Sequence, residues 1–270
     1  MLPRVVFVVS VLFGPLAIGI AVLYGGHGKV FDTPLSGWRA TAFKYLTWTT
    51  CQLMIFGFGY VIKHREFTEA ETDYSKYLGP NWKENKFTGK RVSTLISNHV
   101  SFLDFWTWLS VGKPPAFTPA ANVRSMPIAH HFCGPLQSVY VDRDQSKEGL
   151  DRIVNGLIER QKVIETSDLE WAPICIFAEG TVTNGKNLSR FRRGAFAGNL
   201  AVQPGFLQYK YATVGPDYAT CKGLELGLMM CAESALNTIY SHRYPIFVPN
   251  DYLYTVYAKT IPGHEQMEKW

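Results

Sequence analysis

The sequence predicts an α/β domain behind an apolar, membrane-directed N-terminus. Three features carry this reading: two long uncharged stretches in the first 65 residues, short apolar runs alternating with helical patterns from about Glu66 onward, and turn residues at the ends of those runs. The 270 residues, 47% of them hydrophobic, can build one large domain with a sizeable core plus an accessory element. The expected division is therefore an N-terminal segment, 1–65, and a globular region, 66–270.

Residues 5–24, VVFVVSVLFGPLAIGIAVLY, hold twenty positions without a charge. As a helix they would measure about 30 Å, enough to cross a bilayer. The following LYGGHGKV is a poor match for a signal-peptide cleavage site. Residues 45–62, YLTWTTCQLMIFGFGYVI, form a second uncharged stretch of eighteen, bracketed by Lys44 and by Lys63, His64 and Arg65. Its Thr, Gln and Gly residues weaken it as a span, so two crossings, a re-entrant helical hairpin and a buried helix all fit. Both flanks are mildly basic, which leaves the orientation open.

Beyond residue 66 the elements follow in order. VSTLIS, 92–97, reads as a strand, and a helix begins near Ser101. LQSVYV, 136–141, reads as another strand before the turn residues Asp142 to Gln145. In SKEGLDRIVNGLIERQKV, Leu150, Ile153, Val154, Leu157 and Ile158 recur at helical spacing, with Ser146 as N-cap. PICIF, 173–177, is a strand, and AVQPGFLQYKYA, 201–212, is a strand interrupted by Pro204. A helix near 222–240 and a strand near 246–258 complete the pattern.

Charge and cysteine usage exclude several function classes. The net charge of +5 suits an anionic membrane surface or a phosphate-bearing substrate, and no Arg/Lys stripe with interleaved aromatics points to nucleic acid. Five dispersed cysteines match neither a zinc pattern nor a disulfide framework and read as reduced thiols facing cytosol or matrix. His130 and His131 lack matching metal ligands, so no metal is expected.

Within TLISNHVSFLDFWTW, residues 94–108, His99 and Asp104 stand among apolar neighbours. Five helical positions rotate the chain by about 140° net, so the two could not meet if both lay in regular helix. Ser101 followed by Asp104 is a capping-box variant that would start the helix at Ser101 and leave His99 in the preceding turn. Asp104 could then reach back to the imidazole, fix its tautomer, and leave the second nitrogen to take a proton from a hydroxyl. The simpler alternative is that Asp104 only caps the backbone.

A second constellation stands downstream. FAEGTVTNG, 177–185, follows a strand with small and hydroxyl residues whose backbone N–H groups could surround a phosphate. LSRFRRGAF then brings Arg190, Arg192 and Arg193 together, and Arg143 ends VYVDR. Arginines beside a Gly/Thr turn suit bidentate phosphate binding.

Four ordered blocks resemble the glycerolipid acyltransferases, a family that includes lysophosphatidic acid and lysophosphatidylcholine acyltransferases: SNHVSFLD, LQSVYVDR, FAEGTVTNG and VQP. EGTVTNGKNLSRFRRGAF is most similar to the lysophosphatidylcholine branch, although Ala178 stands where a proline commonly precedes the glutamate. The resemblance, over roughly residues 66 to 260, implies a mostly parallel sheet flanked by helices. It implies His99 as general base, Asp104 as its orienting partner, and Arg143, Glu179, Gly180 and Thr181, with Arg192 or Arg193, as holders of the phosphate. It also implies acyl-CoA as cosubstrate with no bound cofactor, a lysophospholipid or glycerol phosphate as acceptor, and membrane lipids as partners. An intracellular membrane, endoplasmic reticulum or mitochondrial inner, is the expected location. The alternative is an accessory subunit of a larger membrane complex, such as a mitochondrial one, that keeps the fold without the chemistry. The intact His99, Asp104, Arg143 and Glu179 speak against that.

Overall fold

The computed structural model describes residues 4–11, 19, 33–125, 132–142, 146–218 and 223–250. Its elements in chain order are α1 (Gly37–Gly57), β1 (Tyr60–Glu66), β2 (Thr94–Ser97), α2 (Leu103–Leu109), β3 (Ala116–Phe117), α3 (Lys147–Thr166), β4 (Ile174–Phe177), β5 (Val202–Lys210), α4 (Gly223–Ala232) and β6 (Asn237–Arg243). Six strands form one sheet in the order β1-β6-β5-β2-β4-β3. All neighbours run parallel except β5 and β6. A mostly parallel sheet needs both faces covered, which is why β2 reads as a continuous buried run rather than an alternating one.

The register is what positions the site. Ser97 pairs with Phe177, so β2 and β4 end side by side and the loops leaving them, from residues 98 and 178, emerge at the same edge. The C-terminal ends of parallel strands are where such sheets hold ligands. Leu95, Ile96, Ile174, Cys175 and Leu207 fill the core beneath that edge. α2 is fastened there by the fully buried Trp108, whose Nε1–H donates to Ser97 Oγ at 2.9 Å. Gly205 makes room for the indole: a Cβ there would stand 2.7 Å from the Trp108 ring.

Several expectations need correction. The helix covering the second uncharged stretch starts earlier than 45 and ends at Gly57, and residues 60–66 are strand β1, paired to β6 across the expected boundary at 65/66. Among the described residues no helix is long and apolar enough to cross a membrane. Most of the first stretch, 5–24, lies outside the described residues; residues 4–11 are helical. LQSVYV is not a strand: Gln137 takes a left-handed φ of 53°, and only Val139 and Val141 donate N–H groups to the β3 side, to Phe117 and Pro119. Pro204 does not interrupt β5, because its carbonyl accepts Tyr244 N–H at 2.9 Å and the β6 ladder starts at Gly205. The helix expected near 222–240 stops at Ala232, and the last sheet strand is 237–243; residues 251–258 lie outside the described residues. The amphipathic helix is as expected, with Ser146 Oγ accepting Gly149 N–H.

Candidate active site

His99 sits in the turn between β2 and α2, and Asp104 in the first turn of α2. Asp104 is fully buried, while the His99 side chain is 23% exposed. His99 Nδ1 lies 2.8 Å from Asp104 Oδ2. The same oxygen accepts Val100 N–H at 2.6 Å and Ser101 N–H at 2.9 Å, while Ser101 Oγ accepts Leu103 N–H at 3.1 Å. The carboxylate that ties down the turn before the helix therefore also holds the ring, although the helix itself starts at Leu103, with Phe102 as an N-cap that makes no side-chain bond. Among the described residues, Nε2 of His99 takes no hydrogen bond, which leaves it for an incoming hydroxyl. The imidazole stacks on Phe177, with ring centres 4.2 Å apart at 12°.

The loop after β4 grips the backbone of His99 from both sides. Its N–H donates to Glu179 Oε1 at 2.8 Å, and its carbonyl accepts Thr183 N–H at 2.8 Å and the Thr183 hydroxyl at 3.1 Å. Glu179 Oε2 accepts Ser189 N–H at 2.9 Å. Glu179 is nearly fully buried, and both its oxygens are committed to the backbone. Gly180 has φ of +68°, and a Cβ there would fall 2.4 Å from Arg192 Nε, so the guanidinium lies directly over this glycine. Thr181 and Arg192 are exposed on the same rim. Replacing Gly180 by alanine is expected to destabilise the fold by about 1–2 kcal/mol through the left-handed backbone and to displace Arg192. Chemical denaturation measures the first effect, and a raised KM for a phosphate-bearing acceptor reports the second.

The structure thus brings His99, Asp104, Glu179, Gly180 and Arg192 to one edge of the sheet. Arg143 lies outside the described residues, as do His130, His131 and the side chain of Arg193. Among the described residues no group of three His, Cys, Asp or Glu side chains could hold a metal ion. Sequence reading missed three contributors. Asn98 ties the turn to β5, donating Nδ2–H to Leu207 O at 2.9 Å and accepting Leu207 N–H at 2.8 Å. Thr183 holds the His99 carbonyl, and Tyr209 of β5 donates its hydroxyl to Asp104 Oδ1. Burial first, and then the charge of Asp104, pushes the Tyr209 hydroxyl well above its ordinary range. Asn98 was the readable one, being a polar residue at the end of an apolar strand; nothing local marks Tyr209, which sits 105 positions from its partner.

Residues 83–209, which span the whole of this site, match the Acyltransferase family model. Over those residues, just under half of its length, the chain is similar to the acyltransferase family. The domain is similar to the lysophospholipid acyltransferase LPEAT1 of Arabidopsis thaliana, at 26% identity over 80% of this chain and 55% of that protein. It is also similar to lysophosphatidylcholine acyltransferase 2 of Homo sapiens, at 25% identity over 81% of this chain and 36% of that protein. The chain thus spans about half or less of the length of these curated relatives. Among solved structures, the fold resembles the 1-acyl-sn-glycerophosphate acyltransferase PlsC of Thermotoga maritima, with a TM-score of 0.50, 17% identity, and 99% of this chain and 92% of that chain covered.

Proposed function

We propose that the acyltransferase domain moves a fatty acyl group from acyl-CoA to the free hydroxyl of a lysophospholipid or a glycerol phosphate. The observation that carries this reading is the imidazole held through Nδ1 by a buried carboxylate, in a turn whose backbone is bound by the loop that bears Glu179, Gly180 and Thr183. In the proposed step Nε2 takes the hydroxyl proton while the oxygen attacks the thioester carbonyl. The C–O bond forms, the C–S bond breaks, and the departing thiolate recovers the proton from the imidazolium. No covalent acyl-enzyme is needed.

Arg192, the 180–181 backbone and Thr181 would face the acceptor phosphate, with Arg143 and Arg193 adding charge. Glu179 serves differently: Oε1 ties the loop to the His99 turn by accepting His99 N–H, and Oε2 accepts Ser189 N–H within the loop itself. The names of the relatives, which refer to lysophospholipids, lysophosphatidylcholine and 1-acyl-sn-glycerophosphate, support the acceptor class. The test is transfer of labelled acyl groups from acyl-CoA to a panel of lysophospholipids and glycerol phosphate. At least one acceptor is expected to be acylated, and failure with all of them would overturn the reading.

The acceptor's chemistry asks for a membrane surface, and α1 offers one. Its buried residues, including Phe43, Thr47, Cys51 and Met54, pack inward, while Trp38, Tyr45, Trp48 and Phe56 are exposed. Positions 38, 45 and 56 share one helical face with 48 beside them, and indole and phenol rings favour the headgroup region. The double substitution Trp48→Ser with Phe56→Ser is expected to weaken partition onto anionic vesicles by about 10-fold or more. Unchanged co-sedimentation would contradict a docking role for this face.

A further inference from the structure

We propose that Tyr209 is a positioning residue of the His99–Asp104 pair, fixing the outer carboxylate oxygen and moderating the negative charge that the imidazole meets. This rests on the reading of His99 as the base. Asp104 is fully buried, and its two oxygens are served very differently. Oδ2 takes the imidazole and two backbone N–H groups, whereas among the described residues Oδ1 takes the Tyr209 hydroxyl alone. A buried carboxylate oxygen stripped of its donor is costly, so the phenol supplies the donor that Oδ1 needs in this buried position. The nearby Thr107 hydroxyl is no substitute, since it donates to Leu103 O at 2.8 Å. Tyr209 is itself held from the side, edge-on to Tyr60 at 6.0 Å and 79°.

The other titratable groups around Asp104 leave this role to Tyr209. From β4, burial keeps the Cys175 thiol protonated, and Arg243 of β6 acts on that thiol. From the segment after β5, Tyr218 is raised by burial and then by the charge of Asp104. On β1, burial raises Tyr60, and in the loop after β4 Glu179 is turned to the backbone. Of the side chains in hydrogen-bond contact with Asp104, His99 is the one that can gain a positive charge and Tyr209 the one that can share the carboxylate's negative charge.

A carboxylate with one donor fewer pulls harder on the imidazolium proton, so the base form survives only at higher pH. Tyr209→Phe keeps the ring and removes the donor. The acidic limb of its kcat/KM–pH profile is expected to move upward by about half a unit to one unit. The His99 imidazole titration followed by NMR should move the same way. A fluorinated tyrosine at 209, a stronger donor of nearly the same size, should move both downward. A merely structural role would lower the rate equally at every pH. Such uniform loss, or superimposable profiles, would overturn the proposal. His99→Ala measured alongside separates the two ideas: if it keeps the wild-type rate the base reading falls, and if it is inactive while the Tyr209 variants show no shift, only the role of Tyr209 falls.

Discussion

His99→Ala is expected to slow acyl transfer by about 100-fold or more, since it removes the imidazole proposed to take the acceptor proton. Among the described residues at this edge, neither carboxylate can stand in for it. Glu179 spends both oxygens on backbone N–H groups, and Asp104 is fully enclosed. The substitution also removes the ring stacked on Phe177, so some loss of stability, about 1 kcal/mol, accompanies it. His99→Gln fills more of that space and separates the effects: it should recover stability but not rate. Steady-state assays on material whose folded fraction has been checked by circular dichroism measure both.

The second large effect is expected from Asp104→Asn, a loss between about 100-fold and 10,000-fold. The geometry restricts how an amide can sit. Oδ2 accepts three N–H donors, from His99, Val100 and Ser101, so the amide oxygen must occupy that place and its NH2 must face Tyr209. The phenol can rotate its proton away and accept, and the turn keeps its shape. What disappears is the negative charge that stabilises the imidazolium formed as the hydroxyl is deprotonated. The loss should therefore appear in kcat, with KM for the acceptor little changed. A variant with wild-type kcat would show that the carboxylate acts only as a helix cap.

The sequence made the placement of the candidate site more legible than its scaffold. His99, Asp104 and the 179–181 turn were readable because their neighbours supplied local rules: an apolar strand before the turn, a serine and an acid at capping distance, and glycine beside hydroxyls. The Asp104 side chain turned out to satisfy both of the readings its spacing allowed. Where an element is decided by distant partners, local pattern failed. Residues 58–62 look like the end of an apolar helix, yet Gly59, at φ +84°, releases the chain into β1, which exists because β6 pairs with it along its length. The stretch 237–243 alternates buried and partly buried positions, a period of two that was available to read, but the apolar helix before it masked the change. LQSVYV has strand composition and lacks a ladder because a left-handed Gln137 turns the chain beside β3. Tyr209 and Thr183 could not have been found from spacing at all, since each meets the dyad through sheet register and loop packing.

The central claim, that His99 and Asp104 act as one catalytic unit on a hydroxyl, is tested most directly by comparing kcat/KM for His99→Ala, Asp104→Asn and the double variant. If the carboxylate works only through the imidazole, the double variant should fall within about threefold of His99→Ala alone. A double variant slower by the full product of the two single losses would show that the residues act independently, and would contradict the account.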